Sequence, residues 1–230
     1  AADADVIALQ EATLFRIQRP SDYGSRGSAA TEVIVDLLDE VDAALAARGL
    51  DFRRAAVATT SDAELPAATD DGTADLRITD RNAVLVREGL DVGRVETDTF
   101  ATSFSIRVPG TRQTVALRRG YARADVSMED RRFAAVSTHL ESVSSFLRVL
   151  QASELVDDLP TDRSVLLGGD FNSGPGSEPA AYDRLTDTFT DPFVRLDRSD
   201  EGYTCCQDPD LGNDRSRLNR RIDGVLRRGA

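Results

Sequence analysis

From about residue 55 to residue 137 the chain is a succession of short apolar runs, most of them alternating with polar residues, and nothing of helical period separates them. The runs fall at 55–59, 83–86, 104–108, 114–117, 121–126 and 133–137. Consecutive segments of period two pair as antiparallel hairpins, with one face on a core and the other toward water. Two stretches with apolar residues at helical spacing exclude an all-sheet chain. In 31–48, Val33, Leu37, Leu38, Val41, Ala44 and Leu45 share a face, Thr31 is placed to cap the start and Gly49 to stop it. In 143–158, Phe146, Leu147, Leu150 and Leu155 share a face and Pro160 follows. The apolar runs opening at Asp5 and at Val165 read as buried strands, and 222–226 is the last strand candidate. Turn-rich pieces fall at 61–75, 173–179 and 198–217; none reads as a linker, and no internal repeat is visible. The expectation is an α/β (α+β) sandwich of sheets and helices, one domain over 1–230.

Net charge bears on partners. The 230 residues carry 28 Lys+Arg against 40 Asp+Glu, a formal charge of −12. That balance argues against a protein that coats nucleic acid, which needs a basic surface to displace counterions. It leaves room for an enzyme meeting nucleic acid through one local basic cleft. Every basic residue is Arg, as a halophile or a GC-rich genome would produce, and neither origin bears on activity. No apolar run approaches the roughly 18 residues of a membrane span. No leader is visible, which carries little weight in a chain that opens at Ala1. Cys205 and Cys206 are adjacent. Neighbouring cysteines rarely meet disulfide geometry, and no CxxC spacing suggests zinc, so the compartment stays open between extracellular and cytoplasmic.

Four polar residues stand where strands end, the usual place for chemistry in α/β folds, and a fifth lies inside a strand candidate. Glu11 closes the first apolar run, His139 follows 133–137, Asp170 and Asn172 follow the run at Val165, and Asp223 lies in Arg221-Ile222-Asp223-Gly224. Each has an ordinary reading alone: a solvated charge for Glu11, a packed imidazole for His139, an Asx turn for Asp170 and Asn172, an Arg partner for Asp223.

Together they say more. Leu9-Gln10-Glu11, Thr138-His139-Leu140 and Gly169-Asp170-Phe171-Asn172, in that order, resemble the endonuclease/exonuclease/phosphatase family, whose best-known member is pancreatic deoxyribonuclease. Gly202-Tyr203-Thr204-Cys205-Cys206-Gln207 followed by Arg221-Ile222-Asp223 looks like a bacterial branch of it. The resemblance implies a four-layer α/β/β/α sandwich of two mostly antiparallel sheets, with the active site at one rim. It implies phosphate-ester hydrolysis with a divalent cation, Mg²⁺ first and Mn²⁺ or Ca²⁺ as alternatives. Glu11, Asp170 and Asn172 would form the metal side of the site, Glu11 being a hard oxygen ligand suited to Mg²⁺. Asp170 would orient and deprotonate water, Asn172 would bond phosphate oxygens and hold Asp170, His139 would donate to the phosphoryl group, and Asp223 would complete the catalytic set. These roles match what phosphoryl transfer needs: neutralised oxygens, an in-line nucleophile and a stabilised leaving oxygen. A cation beside Asp170 would hold its pKa down.

The chain also departs from the family pattern. The resemblance implies an Asn-bearing strand before Leu9-Gln10-Glu11 and a closing Ser-Asp-His whose imidazole the residue matching Asp223 orients; this sequence has one His. The expectation is a fragment truncated at both ends, weakly active or inactive by itself, with unpaired sheet edges; the alternative is a shortened, silent homologue. The partner expected is a phosphate ester, nucleic acid being one candidate, and the expected state is a monomer. Two other readings stand beside the nuclease-like one. A lipid phosphodiesterase is disfavoured by the lack of Trp and the 6% aromatic content, and a silent binding module would use the rim for a partner. Arg215, Arg217, Arg220 and Arg221 read as a phosphate-facing patch or as counterweights to Asp208, Asp210 and Asp214, and spacing alone does not place Arg118 and Arg119.

Overall fold

The computed structural model describes residues 3–23, 29–108, 114–196 and 201–229. Among these residues ten strands form two sheets. In the first, β5 (Gly72–Arg87) is central. On one side it pairs with β4 (Phe52–Thr69); on the other it pairs in tandem with β1 (Val6–Leu9) and β2 (Leu14–Gln18), and β3 (Glu32–Asp36) adds to β2. In the second sheet the order is β10 (Asp223–Arg228), β9 (Ser164–Asp170), β8 (Arg131–His139), β7 (Thr114–Met128), β6 (Asp91–Arg107). Only β8 and β9 run parallel, because helix α2 (Ser145–Asp158) connects them.

The period-two pattern sorts side chains into layers. Ala56, Ala58, Val84 and Val86 of the first sheet meet Ala122, Ala124, Val126, Phe133 and Ala135 of the second. The residues between them turn the other way. Ala83 and Leu85 pack under helix α1 (Leu37–Ala46), whose Leu38 is fully buried. Ala134, Val136, Val165 and Leu167 pack under α2 and α3 (Ala180–Thr186), against Leu155, Ala181 and Leu185. The result is the expected α/β/β/α order. Alanines dominate the space between the sheets, so the two backbones come close. At Gly168 on β9 an added Cβ would stand 2.7 Å from the Cβ of Ala8 on β1, so only glycine lets β1 lie this near β9.

Three local expectations are corrected. Residues 32–36 are strand rather than helix: the β-branched run Val33-Ile34-Val35 pairs along β2, and α1 starts only at Leu37. Its cap is Asp36, not Thr31; the carboxylate accepts the Leu38 amide at 2.9 Å. The segment 61–75 is almost all strand, with the turn confined to Asp70 and Asp71. Pro66 is accommodated because β4 is an edge strand, and the charged residues pair across strands, as Arg77 does with Asp62. Gly49 does end the first helix region, at φ +68°, and Ser144 caps α2. No helix among the described residues is long and apolar enough to cross a membrane.

Candidate active site

The second sheet lines up three of the candidates. Asp223 faces Asp170 across the β10–β9 pair, and Asp170 faces His139 across β9–β8. His139 in turn faces Gly120 across β8–β7. Residues more than a hundred positions apart thus form one row along the sheet rim. Glu11 reaches the same rim from the other sheet. The end of β1 is held on β8 by Ser137, whose hydroxyl donates to the Leu9 carbonyl at 2.7 Å and accepts from the Gln10 side chain at 2.8 Å. Glu11 itself has φ +52° and Asn172 has φ +47°, two non-glycine residues in the left-handed region within one site.

His139 is buried between Arg119 and Asn172. The Arg119 guanidinium donates to Nδ1 at 2.9 Å, and Nε2 lies 3.1 Å from Asn172 Nδ2 and 3.6 Å from Asp170 Oδ2. A guanidinium only donates, so Nδ1 must accept, and the neutral ring carries its proton on Nε2, facing Asp170. Burial, followed by the Arg119 charge, pushes the imidazole pKa down to about 3. At neutral pH, His139 is therefore an uncharged donor aimed at the rim.

Asp170 is shifted the other way. Burial raises its pKa to about 6, the charges of Asp223 and Glu11 add to the rise, and the Asn172 amide opposes it by donating to Oδ1 at 2.8 Å. Asn172 also anchors its own side chain, with Nδ2 donating to the Leu140 carbonyl at 3.0 Å. Thr204 supports Asp223 from behind, its hydroxyl accepting the amides of Ile222 and Asp223 at 3.1 and 3.2 Å.

Arg119 is the member that sequence spacing left unplaced. It bridges His139 to Asp80, whose Oδ2 accepts from Arg119 at 3.3 Å and from Thr60 at 3.2 Å. Asn82, fully buried, donates to the Gly120 carbonyl at 2.8 Å. Asp80 and Asn82 carried no sequence signal; they sit inside a strand pattern and acquire their place only when β5 lies over β7. The proposed arginine patch does not form at this site. Arg221 is buried against Asp191 at 2.7 Å, Arg217 pairs with Asp208 at 2.7 Å, and Arg220 donates to the two cysteine sulfurs.

A divalent cation fits the donor set. The charges of Asp223 and Glu11 act on Asp170 here, while the nearby guanidinium of Arg119 is shared with Asp80 and the imidazole is neutral. Among the described residues no three His, Cys, Asp or Glu side chains form a group that could hold a metal ion. Mg²⁺ does not require one, since it keeps several waters and uses one or two carboxylates. Glu11 and Asp170 are the residues that would hold it.

Two five-stranded, mostly antiparallel sheets between helices, with an acidic rim around a neutral histidine, make up the deoxyribonuclease-I-like fold. The sequence profile described as Endonuclease/Exonuclease/phosphatase family matches residues 1–230, and the chain belongs to that family. Its members are phosphodiesterases, nucleases and phosphatases, and they generally use divalent metals. Among solved structures, a family protein from Leptotrichia buccalis superposes with a TM-score of 0.60 at 17% identity, over 98% of this chain and 76% of that one. A family protein from Bacteroides thetaiotaomicron gives 0.55 at 19%, over 98% and 68%. Truncated TDP2 of Caenorhabditis elegans gives 0.52 at 18%, over 98% and 71%. At these identities the likeness is one of fold. A search of curated protein sequences returned no match.

Proposed function

We propose that this chain carries the site of a phosphodiesterase that works with a bound divalent cation, Mg²⁺ in the first instance, and that by itself it turns over weakly. The observation that carries the reading is the row Asp223, Asp170, His139 on adjacent strands, with the Glu11 charge acting on Asp170 from the facing sheet. When bound, the cation would supply charge that offsets the negative charge of the phosphate, and Glu11 and Asp170 would hold it. The remaining work falls to the chain itself. Asp170, partly shielded from water, is placed to orient a water molecule and take its proton. His139 presents Nε2–H to a phosphoryl oxygen whose negative charge grows in the transition state, and Arg119 keeps the proton on that nitrogen. Asn172 fixes Asp170 through its main chain and borders His139 through its amide. Asp223 supports the ionisation balance of Asp170 rather than touching the imidazole.

The test is turnover of bis(p-nitrophenyl) phosphate with Mg²⁺, comparing the parent chain with Asp170→Ala and His139→Ala. Each variant should lose about 10²–10³ in kcat/KM, the scale for one positioned donor. Retention of the parent rate by Asp170→Ala would rule this reading out.

A further inference from the structure

The loops that follow β8 and β9 are joined by a buried arginine. Arg148 on α2 is only 3% exposed, and each of its three guanidinium nitrogens has its own acceptor. Nε donates to the Glu141 carbonyl at 2.6 Å and Nη2 to the Ser142 carbonyl at 2.9 Å, both in the loop after β8. Nη1 donates to Glu178 Oε2 at 2.6 Å, in the loop after β9. The Glu178 carbonyl in turn accepts the Ser173 hydroxyl at 2.7 Å, and Ser173 directly follows Asn172. Asn172 closes the ring by donating from its amide to the Leu140 carbonyl, next to Glu141. Gln151, one turn further along α2 and fully buried, holds the first loop as well by accepting the Glu141 amide at 2.8 Å.

We infer that Arg148 and Glu178 are positioning residues for the reaction, fixing through this ring the Asn172 amide against His139 and the Asn172 main chain against Asp170; this rests on the phosphodiesterase reading and deepens it. A buried guanidinium is costly unless its donors are matched, and here the matching acceptors are divided between the two loops. The planar fork holds its nitrogens at fixed separations, so it also sets the spacing of those acceptors. The second loop needs such a hold. Asn172 has φ +47° and Glu178 has φ +46°, left-handed conformations that persist only where surrounding contacts impose them.

Glu178 is the member to change, because its side chain is 62% exposed and an exposed ion pair ordinarily contributes little. In the metal-free protein, Glu178→Ala should shift the resonances of the single imidazole and of the Asn172 side-chain amide. Glu178→Gln, which keeps an acceptor for Arg148, should leave both near their parent positions. Both variants carry a Cβ at φ +46°, so backbone strain cancels between them. In turnover of bis(p-nitrophenyl) phosphate with Mg²⁺, Glu178→Ala should lower kcat about tenfold with KM changed less than about twofold, the pattern of lost positioning rather than lost binding. Glu178→Gln should recover most of that rate. If circular dichroism shows Glu178→Ala unfolded, Glu178→Asp, whose carboxylate is drawn back by one methylene, should give the same changes in smaller measure. Resonances unmoved by the shortened side chain, an unchanged kcat where the parent is active, or an equal loss in Glu178→Gln would overturn the positioning role. Shifted resonances with no turnover even in the parent chain would support the clamp and count against the phosphodiesterase reading alone.

Discussion

Replacing Asp170 by Asn should make the metal-free protein more stable and, with Mg²⁺ present, inactive. The carboxyl has a pKa of about 6 in the folded chain against an ordinary 3.8, chiefly through burial and then through Asp223. Between those values the native state holds the proton more tightly than the unfolded state. The group's contribution to stability therefore falls as pH rises from about 4 to 6, and the whole penalty is present at pH 7. At about 1.36 kcal/mol per pH unit the penalty is at most about 3 kcal/mol. Asparagine stays neutral and keeps an oxygen for the Asn172 amide, so about 1–3 kcal/mol should return. For a chain of this size that corresponds to a Tm rise of about 3–10 °C. His139 tends the opposite way: its lowered pKa makes stability rise with pH over a similar range. The informative quantity is therefore the variant-minus-parent difference, measured by urea and thermal denaturation in EDTA at pH 4 and pH 7. It should be near zero at pH 4 and largest at pH 7. A gain that is the same at both pH values, or a loss at pH 7, would refute the placement of Asp170 in an uncompensated acidic cluster.

The single imidazole resonance should show His139 neutral down to about pH 3, and Arg119→Gln should raise that midpoint only partly, since burial is the larger cause; a parent midpoint near 6.5 would mean the ring is exposed. Titrating Mg²⁺ or Mn²⁺ at pH 7 should raise the Tm of the parent chain, with most of the rise lost in Glu11→Gln; an undiminished rise would place the cation elsewhere. Gly168→Ala should cost about 1–3 kcal/mol in urea denaturation, the usual range for overpacking, because its methyl would meet Ala8 at 2.7 Å. Adding Ala8→Gly to that variant should restore most of the loss, and failure of this rescue would show that β1 and β9 do not press together at that point.

Alternation along 121–126 and 133–137 was enough to foresee paired strands with two different faces, and Ala122 and Ala124 do face the opposite sheet while Tyr121 faces the helices. Glu11, His139, Asp170 and Asn172 were each legible as polar groups where apolar runs end, because a strand that stops at a rim leaves its last residue free of the core; Asp223 was legible only inside a strand candidate. Residues 32–36 were misread because a short β-branched run fits a helical stripe and a strand equally well until its neighbour β2 supplies hydrogen bonds. Asp80 and Asn82 were invisible for a different reason: nothing in Asp80-Arg81-Asn82 distinguishes a solvent-facing residue from one that meets Arg119 or Gly120 across the sandwich.

Local order along the chain thus determined most of the strands and which polar residues stand near their ends, since periodicity and strand-end polarity are properties of near neighbours. Only the tertiary structure decided register between sheets: that Gly168 admits Ala8, that β1 therefore delivers Glu11 to Asp170, and that Arg119 fixes the proton of His139. Those relations depend on backbones separated by tens to more than a hundred residues coming within contact distance, and the identity of the touching pair is set by how two twisted sheets stack, which no local pattern encodes.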